Sequence, residues 1–152
     1  MIVRGLLEEK KILGISFEGI NPGDSVTIKK DITTDMIDAY AEFTGDFNPV
    51  HMDEAYCIRH GLKSRIAHGM LVQSFVSTLI GMHLPGEGSV WLSQNMDFIS
   101  PAYAGDSLTI TGTVTEKTQG AALSLNMVKM KILIKNQSDR IVARGYVKIS
   151  MK

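Results

Sequence analysis

Cysteine is almost absent from this sequence of 152 residues, and Cys57 is its single representative. A disulfide within the chain is therefore impossible, and a metal site built from several cysteines is excluded. Cys57 lies beside aromatic and apolar residues in a predicted helix. We expect it to be an inert packing residue rather than a nucleophile.

An excess of either charge is also absent, because 16 Lys and Arg balance 16 Asp and Glu. A general nucleic-acid-binding protein would show a basic excess, so no nucleic-acid partner is expected. A net charge of zero gives little repulsion between copies and favours self-association. The length, with 44% hydrophobic and 21% charged residues, is typical of one globular domain with a full core.

Long apolar segments are missing as well. The longest run with few charges, residues 69–84, is too short and too interrupted by polar residues to span a membrane. The N-terminus carries charges within its apolar part, which is unlike a signal peptide. We therefore expect a cytoplasmic protein without a membrane partner.

Periodicity predicts one strand, then helices, then four strands. Residues 1–21 suggest a short helix followed by a strand or an extended arm. A helix ending at Phe43 is bounded by the potential caps Thr33 to Asp35 and by Gly45. The other predicted helices are Asp53–His60 and Gly69–His83, and the predicted strands are Ser25–Ile32, Val90–Ile99, Ser107–Thr115, Ala121–Ile134 and Ile141–Met151.

The helix predicted over Gly69–His83 has almost no polar face, so it should be buried centrally. Strands that alternate between apolar and polar residues are typical of an antiparallel sheet with one covered face. The fold class is therefore α+β, with an antiparallel sheet wrapped around a long apolar helix, which is the hotdog fold. The pattern does not determine the order of the strands.

One short stretch, Thr44–His51, places a carboxylate and an imidazole five residues apart, at Asp46 and His51. Asn48 and Pro49 favour a turn between them, so we expect an irregular loop that brings both side chains together. A carboxylate and a neutral imidazole form a usable acid/base pair at neutral pH. The alternative interpretation is a helix cap at Gly45 followed by a solvated turn.

The sequence gives little support for a phosphate-binding loop, a serine nucleophile or a metal site. The sequence contains neither a Gly-Lys-Ser/Thr phosphate loop nor a Gly-x-Ser-x-Gly elbow. Possible metal ligands are His51, Asp53, His60 and His68, but their spacing matches no compact metal signature. We expect no metal site.

Three blocks in order resemble the MaoC-like (R)-specific enoyl-CoA hydratases of the hotdog superfamily. Residues Gly45–Asp53 match the family's signature, which is Asp-x-Asn-Pro, then Leu, Ile or Val, then His-x and Asp or Glu, and Ile66–Leu71 match its His-Gly-Met block. Residues Pro85–Gly88 match its Pro-Gly-x-Gly turn, followed by Phe98, Pro101 and Gly105-Asp106. The resemblance covers residues 22–152, so residues 1–21 are interpreted as an N-terminal extension. It implies a homodimer or a higher homo-oligomer, in which two sheets join edge to edge.

The resemblance implies syn addition of water to a trans-2-enoyl-CoA, giving an (R)-3-hydroxyacyl-CoA without a cofactor. It implies that Asp46, as the candidate base, and His51, as its partner, hold one water and share the proton transfers, and the sequence does not determine which of them performs which step. It also implies support from Asn48 and Ser77 and assigns the Gly69 N–H as the oxyanion donor. Each supporting assignment has a structural alternative. Asn48 suits a turn, Gly69 suits a tight entry into a helix, and the Ser77 hydroxyl could bond the Gln73 carbonyl. His68 is expected to be structural, as a helix cap or a contact to the Asp46 loop.

Two alternatives to this activity stay open. Hydration is reversible, so the chain could dehydrate 3-hydroxyacyl groups carried by an acyl carrier protein. A non-catalytic acyl-CoA-binding module would keep the fold but would usually lose Asp46 or His51, and both are present. A hotdog thioesterase would need a carboxylate on the central helix, and Gly69–His83 contains none.

Overall fold

A computed structural model of the chain describes residues 14–120 and 126–151. Its strands are β1 (Ser25–Asp31), β2 (Val90–Phe98), β3 (Ser107–Thr118), β4 (Asn126–Lys135) and β5 (Ile141–Met151). Its helices are α1 (Thr34–Thr44), α2 (Pro49–Met52), α3 (Glu54–Arg59) and α4 (Gly69–Met82). Each strand and helix predicted from Ser25 onward is present, although residues 121–125 of one predicted strand lie outside the described residues. Helix α2 was not predicted.

The described part of the N-terminal segment packs on the domain. Residues 1–13 lie outside the described residues, so the short helix predicted within residues 1–21 is described only in part. Where a strand or an extended arm was predicted to follow, residues 14–24 contain no strand. Phe17–Gly19 form one turn of 3-10 helix, and Phe17 and Ile20 are buried in the core. The Lys117 Nζ donates to the Ile20 carbonyl oxygen at 2.9 Å and lies 4.5 Å from the centre of the Phe17 ring. The division at residues 21 and 22 stays a prediction.

The five strands form one antiparallel sheet in the order β1-β3-β4-β5-β2. Strand β3 shows why one face is buried, since Leu108, Ile110 and Val114 point into the core and the threonines between them do not. Ile110 pairs with the buried Ile134 of β4, so the same face continues across neighbouring strands. The predicted alternation is confirmed.

Helix α4 contacts β3 and also both edge strands, β1 and β2, so the sheet curves around it. Gly112 of β3 allows a close approach, because a Cβ there would lie 2.8 Å from the Leu79 Cδ2 atom of the helix. Seven of the 14 residues of α4 are buried, among them Leu71, Phe75 and Leu79, whereas Met70, Ser74 and Ser77 are exposed. The helix therefore lies centrally, as predicted, but one side of it is exposed. The α+β hotdog architecture is confirmed. None of the helices within the described residues has the length and apolar character that a bilayer span requires.

Candidate active site

The site begins where α1 ends. The Thr33 hydroxyl oxygen accepts a hydrogen bond from the Met36 N–H and caps the start of α1, as predicted. Gly45 ends the helix in the left-handed region at a φ of 78°, which a residue with a side chain adopts only with strain. The chain therefore reverses direction at Gly45 and presents Asp46 immediately after the helix.

His51 lies on a short helix rather than on the irregular loop that we predicted. Helix α2 has Pro49 at its first position, and the Asn48 side-chain oxygen caps it by accepting from the Val50 N–H at 3.2 Å. Asn-Pro therefore acts as a helix start as well as a turn, because an Asx cap and a Pro at the first position both favour helix. The Asp46 carboxylate in turn accepts from the Asn48 N–H at 3.2 Å.

The His51 ring has one defined orientation. Its Nδ1 lies 2.8 Å from the Ile66 carbonyl oxygen, and the Ile66 N–H donates to the Val50 carbonyl oxygen at 3.0 Å. A carbonyl oxygen can only accept, so Nδ1 carries the hydrogen and Nε2 carries the lone pair in the neutral ring. The His51 side chain is 11% exposed. The basic nitrogen is therefore fixed in place in a mostly buried site.

Asp46 and His51 are brought together, as predicted. The His51 Nε2 lies 3.9 Å from the Asp46 Oδ2, which is too long for a direct hydrogen bond. A water at about 2.8 Å from both atoms would bridge them at an angle of about 90°. The Asp46 side chain is 54% exposed, so solvent reaches this gap. The geometry suits activation of one water molecule.

A cavity of about 360 Å³ adjoins the pair and is lined by both His51 and Gly69. Its walls are mainly apolar and include Leu62, Ile66, Val72, Phe98 and Val142. Helix α4 begins at Gly69, and no side chain of the described residues caps this helix start. A helix start leaves N–H groups without partners and carries a positive potential. The cavity can thus receive an apolar chain that ends in a polarisable carbonyl.

The two supporting assignments differ in outcome. Asn48 contacts the loop through its cap of α2 and through its carbonyl oxygen, which accepts from the His51 N–H at 2.8 Å. Ser77 is exposed on α4 and is absent from the lining of the cavity that holds His51. Within the described residues its hydroxyl bonds neither the Gln73 carbonyl nor a member of the pair. Its supporting role stays a prediction.

His68 occupies the cap position of α4 but does not cap it. Instead its Nε2 lies 2.9 Å from the Asp46 carbonyl oxygen, which is the loop contact expected from the sequence. Its ring also stacks on the His51 ring, with centroids 3.8 Å apart and planes 25° apart. This stacking was missed, because two histidines 17 residues apart in sequence give no signal of contact.

Asp46, His51 and His68 form a candidate metal-binding group, with one ligand atom of each within 4.8 Å of the others. The stacked rings oppose this use. Imidazole binds a metal through a lone pair in the ring plane, at about 2.0–2.1 Å for zinc. Stacked rings, with centroids 3.8 Å apart and planes 25° apart, do not direct both in-plane lone pairs at one ion at that distance. The expectation of no metal site stays a prediction.

Comparisons with known proteins found a matching family model and several similar sequences. A family model described as MaoC like domain matches residues 19–137. A relative named (R)-specific enoyl-CoA hydratase, from Rhodospirillum rubrum, is 36% identical over 85% of this chain and 93% of its own length. A relative named mitochondrial 3-hydroxyacyl-[acyl-carrier-protein] dehydratase, from Arabidopsis thaliana, is 34% identical over 93% of this chain and 84% of its own length.

A solved structure has the same fold. R-hydratase PhaJ1 from Pseudomonas aeruginosa superposes with a TM-score of 0.83 at 33% identity, covering 91% of this chain and 86% of that structure. The family model spans most of the chain, and it includes the Asp46–His51 stretch and the start of α4. The resemblance inferred from the three motif blocks is confirmed, and the chain belongs to the MaoC-like family.

Proposed function

We propose that this protein is an (R)-specific enoyl-CoA hydratase. The observation that carries the proposal is the separation of 3.9 Å between the His51 Nε2 and the Asp46 Oδ2, at an apolar cavity that meets the start of α4. Hydration of an enoyl thioester needs a base for water, an acid for C2 and a donor for the thioester oxygen. This site offers a candidate for each requirement.

In the proposed reaction, one water is held between the Asp46 carboxylate and the His51 Nε2. We assign the role of base to His51 and not to Asp46, the base that the family resemblance implies. The His51 Nε2 can accept a proton because its Nδ1–H donates to the Ile66 carbonyl oxygen, whereas the Asp46 carboxylate already accepts from the Asn48 N–H. The water oxygen bonds to C3 while the π electrons of the double bond move towards C2. The His51 imidazolium then returns the proton to C2 from the same side, which gives syn addition. Asp46 orients the water and stabilises the imidazolium.

The thioester oxygen gains negative charge as C3 is attacked. We assign its stabilisation to the N–H at Gly69, where α4 begins without a side-chain cap. Loss of one such donor typically costs about 2.7–4 kcal/mol of transition-state stabilisation. The Phe98 ring packs against Gly69, where a Cβ would lie 3.2 Å from it, so the glycine lets this ring and the start of α4 share one wall of the cavity.

The direct test is turnover of crotonyl-CoA, followed as loss of enoyl-thioester absorbance. Coupling to an (R)-specific 3-hydroxyacyl-CoA dehydrogenase reports the configuration of the product. We expect saturable hydration and an (R) product. Binding of crotonyl-CoA without turnover would instead indicate a non-catalytic acyl-CoA-binding module. An (S) product would contradict the proposed geometry.

A second candidate function is dehydration of 3-hydroxyacyl groups on an acyl carrier protein. The similarity to the Arabidopsis thaliana dehydratase, which extends over 93% of this chain, supports this second candidate function. The chemistry at Asp46 and His51 would be the same in reverse, so the carrier distinguishes the two candidates. Comparing kcat/KM for the same enoyl group on coenzyme A and on a carrier protein decides between them.

We also propose that the protein acts as a homodimer joined through β2. This strand lies at one edge of the sheet and exposes Val90, Leu92 and Phe98. Apolar exposure continues beside it at Phe43, which is 87% exposed, and at Met70. An edge strand with unpaired backbone groups and apolar side chains is a pairing template, and a second copy supplies a matching β2 across a two-fold axis.

A cytoplasmic location stays a prediction.

A further inference from the structure

His68 contacts both members of the candidate acid/base pair through different parts of its ring. We propose that His68 is a positioning residue that sets the separation between Asp46 and His51, an inference that rests on the proposed hydration reaction. It does not act on the substrate in this proposal. It fixes the backbone that carries the carboxylate and the plane of the imidazole that accepts the proton.

The first contact fixes Asp46. The Asp46 side chain is half exposed and follows a glycine in the left-handed region, so its backbone would otherwise be weakly held. The His68 Nε2–H donates to the Asp46 carbonyl oxygen at 2.9 Å. The Thr44 hydroxyl oxygen accepts from the Asp46 N–H at a longer 3.3 Å. The bond from His68 is therefore the shorter of these two anchors, and it comes from a buried ring.

The second contact fixes His51. The hydrogen bond from Nδ1 to the Ile66 carbonyl oxygen fixes the position of that nitrogen but not the plane of the ring. The face-to-face contact with His68, at 3.8 Å between centroids, restricts the plane. The His68 ring also contacts the Tyr40 ring, and the two ring centroids lie 5.0 Å apart. His68 is 3% exposed, so it is confined and can act as a rigid spacer.

Fold stability alone does not explain a histidine at this position. Because Nε2 donates to the Asp46 carbonyl oxygen, Nδ1 is an acceptor in the neutral ring. This Nδ1 is buried and has no hydrogen-bond donor among the described residues. A buried acceptor without a partner is destabilising, so an apolar ring would pack here at lower cost. An apolar ring, however, could not donate the hydrogen bond to the Asp46 carbonyl oxygen.

Two substitutions separate the two contacts. His68→Phe keeps a ring that can stack on His51 but removes the donor to Asp46, and His68→Gln keeps a donor near the Nε2 position but removes the stacking. Small misplacements of reacting groups can cost about 100-fold in rate. We expect kcat with crotonyl-CoA to fall about 10- to 100-fold in both variants, with KM within about twofold of wild type.

The matched control is His60→Phe. His60 also stacks on an aromatic ring, that of Tyr56 with centroids 4.0 Å apart, but it is exposed and does not line the cavity. We expect wild-type kcat for this variant. We further expect His68→Phe to melt at or above the wild-type temperature although its kcat falls. A loss of kcat that merely follows a loss of folded protein in both His68 variants would overturn the proposal.

Two further measurements make the positioning role specific. In an Asp46→Asn background, His68→Phe should lower kcat by less than twofold, because the carboxylate it positions is gone. The ¹⁵N NMR signals of the His51 ring should report the Nδ1–H tautomer in wild type and in both variants, since the Ile66 carbonyl oxygen sets it. The ring C–H signals of His51 should shift and broaden in His68→Gln, because the plane of the ring is no longer held by stacking. Unchanged ring C–H signals of His51 in His68→Gln would overturn the proposal. The NMR result decides it even if the wild-type protein hydrates no enoyl thioester, in which case the proposed function fails separately.

Discussion

The His51 Nδ1 donates to the Ile66 carbonyl oxygen at 2.8 Å, and this contact determines which nitrogen faces Asp46. Ile66 precedes α4 by only a few residues, so the contact also ties the acid/base pair to the helix that borders the cavity. The candidate base, its carboxylate partner and the candidate oxyanion donor are therefore held by one short set of backbone contacts.

Gly69→Ala tests the start of α4. A Cβ at Gly69 would lie 3.2 Å from two atoms of the Phe98 ring, so this part of the cavity wall must shift by a few tenths of an ångström and the start of α4 becomes more crowded. We expect kcat/KM to fall about 10-fold or more while the protein stays folded. The control is Gly81→Ala on the same helix, where a Cβ meets nothing within 4 Å. Equal activity of both variants would argue against a close approach of substrate at Gly69.

Asn48→Ala tests the cap of α2. The Asn48 side-chain oxygen accepts from the Val50 N–H, and loss of such a cap typically costs about 1 kcal/mol. We expect the free energy of unfolding in urea to fall by about that amount and kcat to fall as His51 loses its defined position. Asn48→Asp keeps a cap acceptor and should restore most of the stability. If Asn48→Ala matched wild type in both measurements, the cap would have no role.

Gly45→Ala tests the turn that presents Asp46. The φ of 78° at Gly45 lies in the left-handed region, where Ala is less stable than Gly by about 1–2 kcal/mol. No atom lies within 4 Å of a Cβ placed there, so the cost would come from the backbone and not from a clash. Gly45→Asn should cost less, because Asn tolerates this region better. Chemical denaturation of the three proteins gives the ranking.

Leu92→Lys tests the edge of the sheet. Leu92 lies on β2 and is 49% exposed, so the change should leave the monomer folded but place a charge in the proposed contact between two copies. We expect light scattering to shift from dimer to monomer mass. Thr27→Lys on β1, the opposite edge, is the control and should leave the mass unchanged. A monomeric wild-type protein, or a dimer in Leu92→Lys, would contradict assembly through β2.

Local patterns predicted the elements well and the contacts between them less well. The alternation of Leu108, Ile110 and Val114 with threonines, and the apolar character of α4, were sufficient for the sheet and its central helix. Those signals depend on neighbours in the chain. The strand order β1-β3-β4-β5-β2 depends on which distant segments pair, and the pattern did not determine it.

In the candidate site, too, contacts between neighbours in the chain could be predicted and contacts between distant segments could not. The nearness of Asp46 and His51 follows from five residues of chain with a turn between them, so the motif was enough to predict it. The contribution of Phe98 and Val142 to the cavity wall, and the stacking of His68 on His51, arise only when the sheet closes around α4. The short helix α2 was missed because Asn48 and Pro49 favour both a turn and a helix start.

The most direct measurement compares hydration of crotonyl-CoA by Asp46→Asn, by His51→Ala and by the double variant. Acid/base groups typically contribute about 10²- to 10⁴-fold, so each single change should lower kcat by about that factor. Because both groups act on one water, the double variant should be no more than a few times slower than the slower single variant. Asp53→Asn removes a neighbouring carboxylate that caps α3 and should keep wild-type activity. Wild-type kcat in either single variant, or losses that multiply in the double variant, would contradict a shared role for Asp46 and His51.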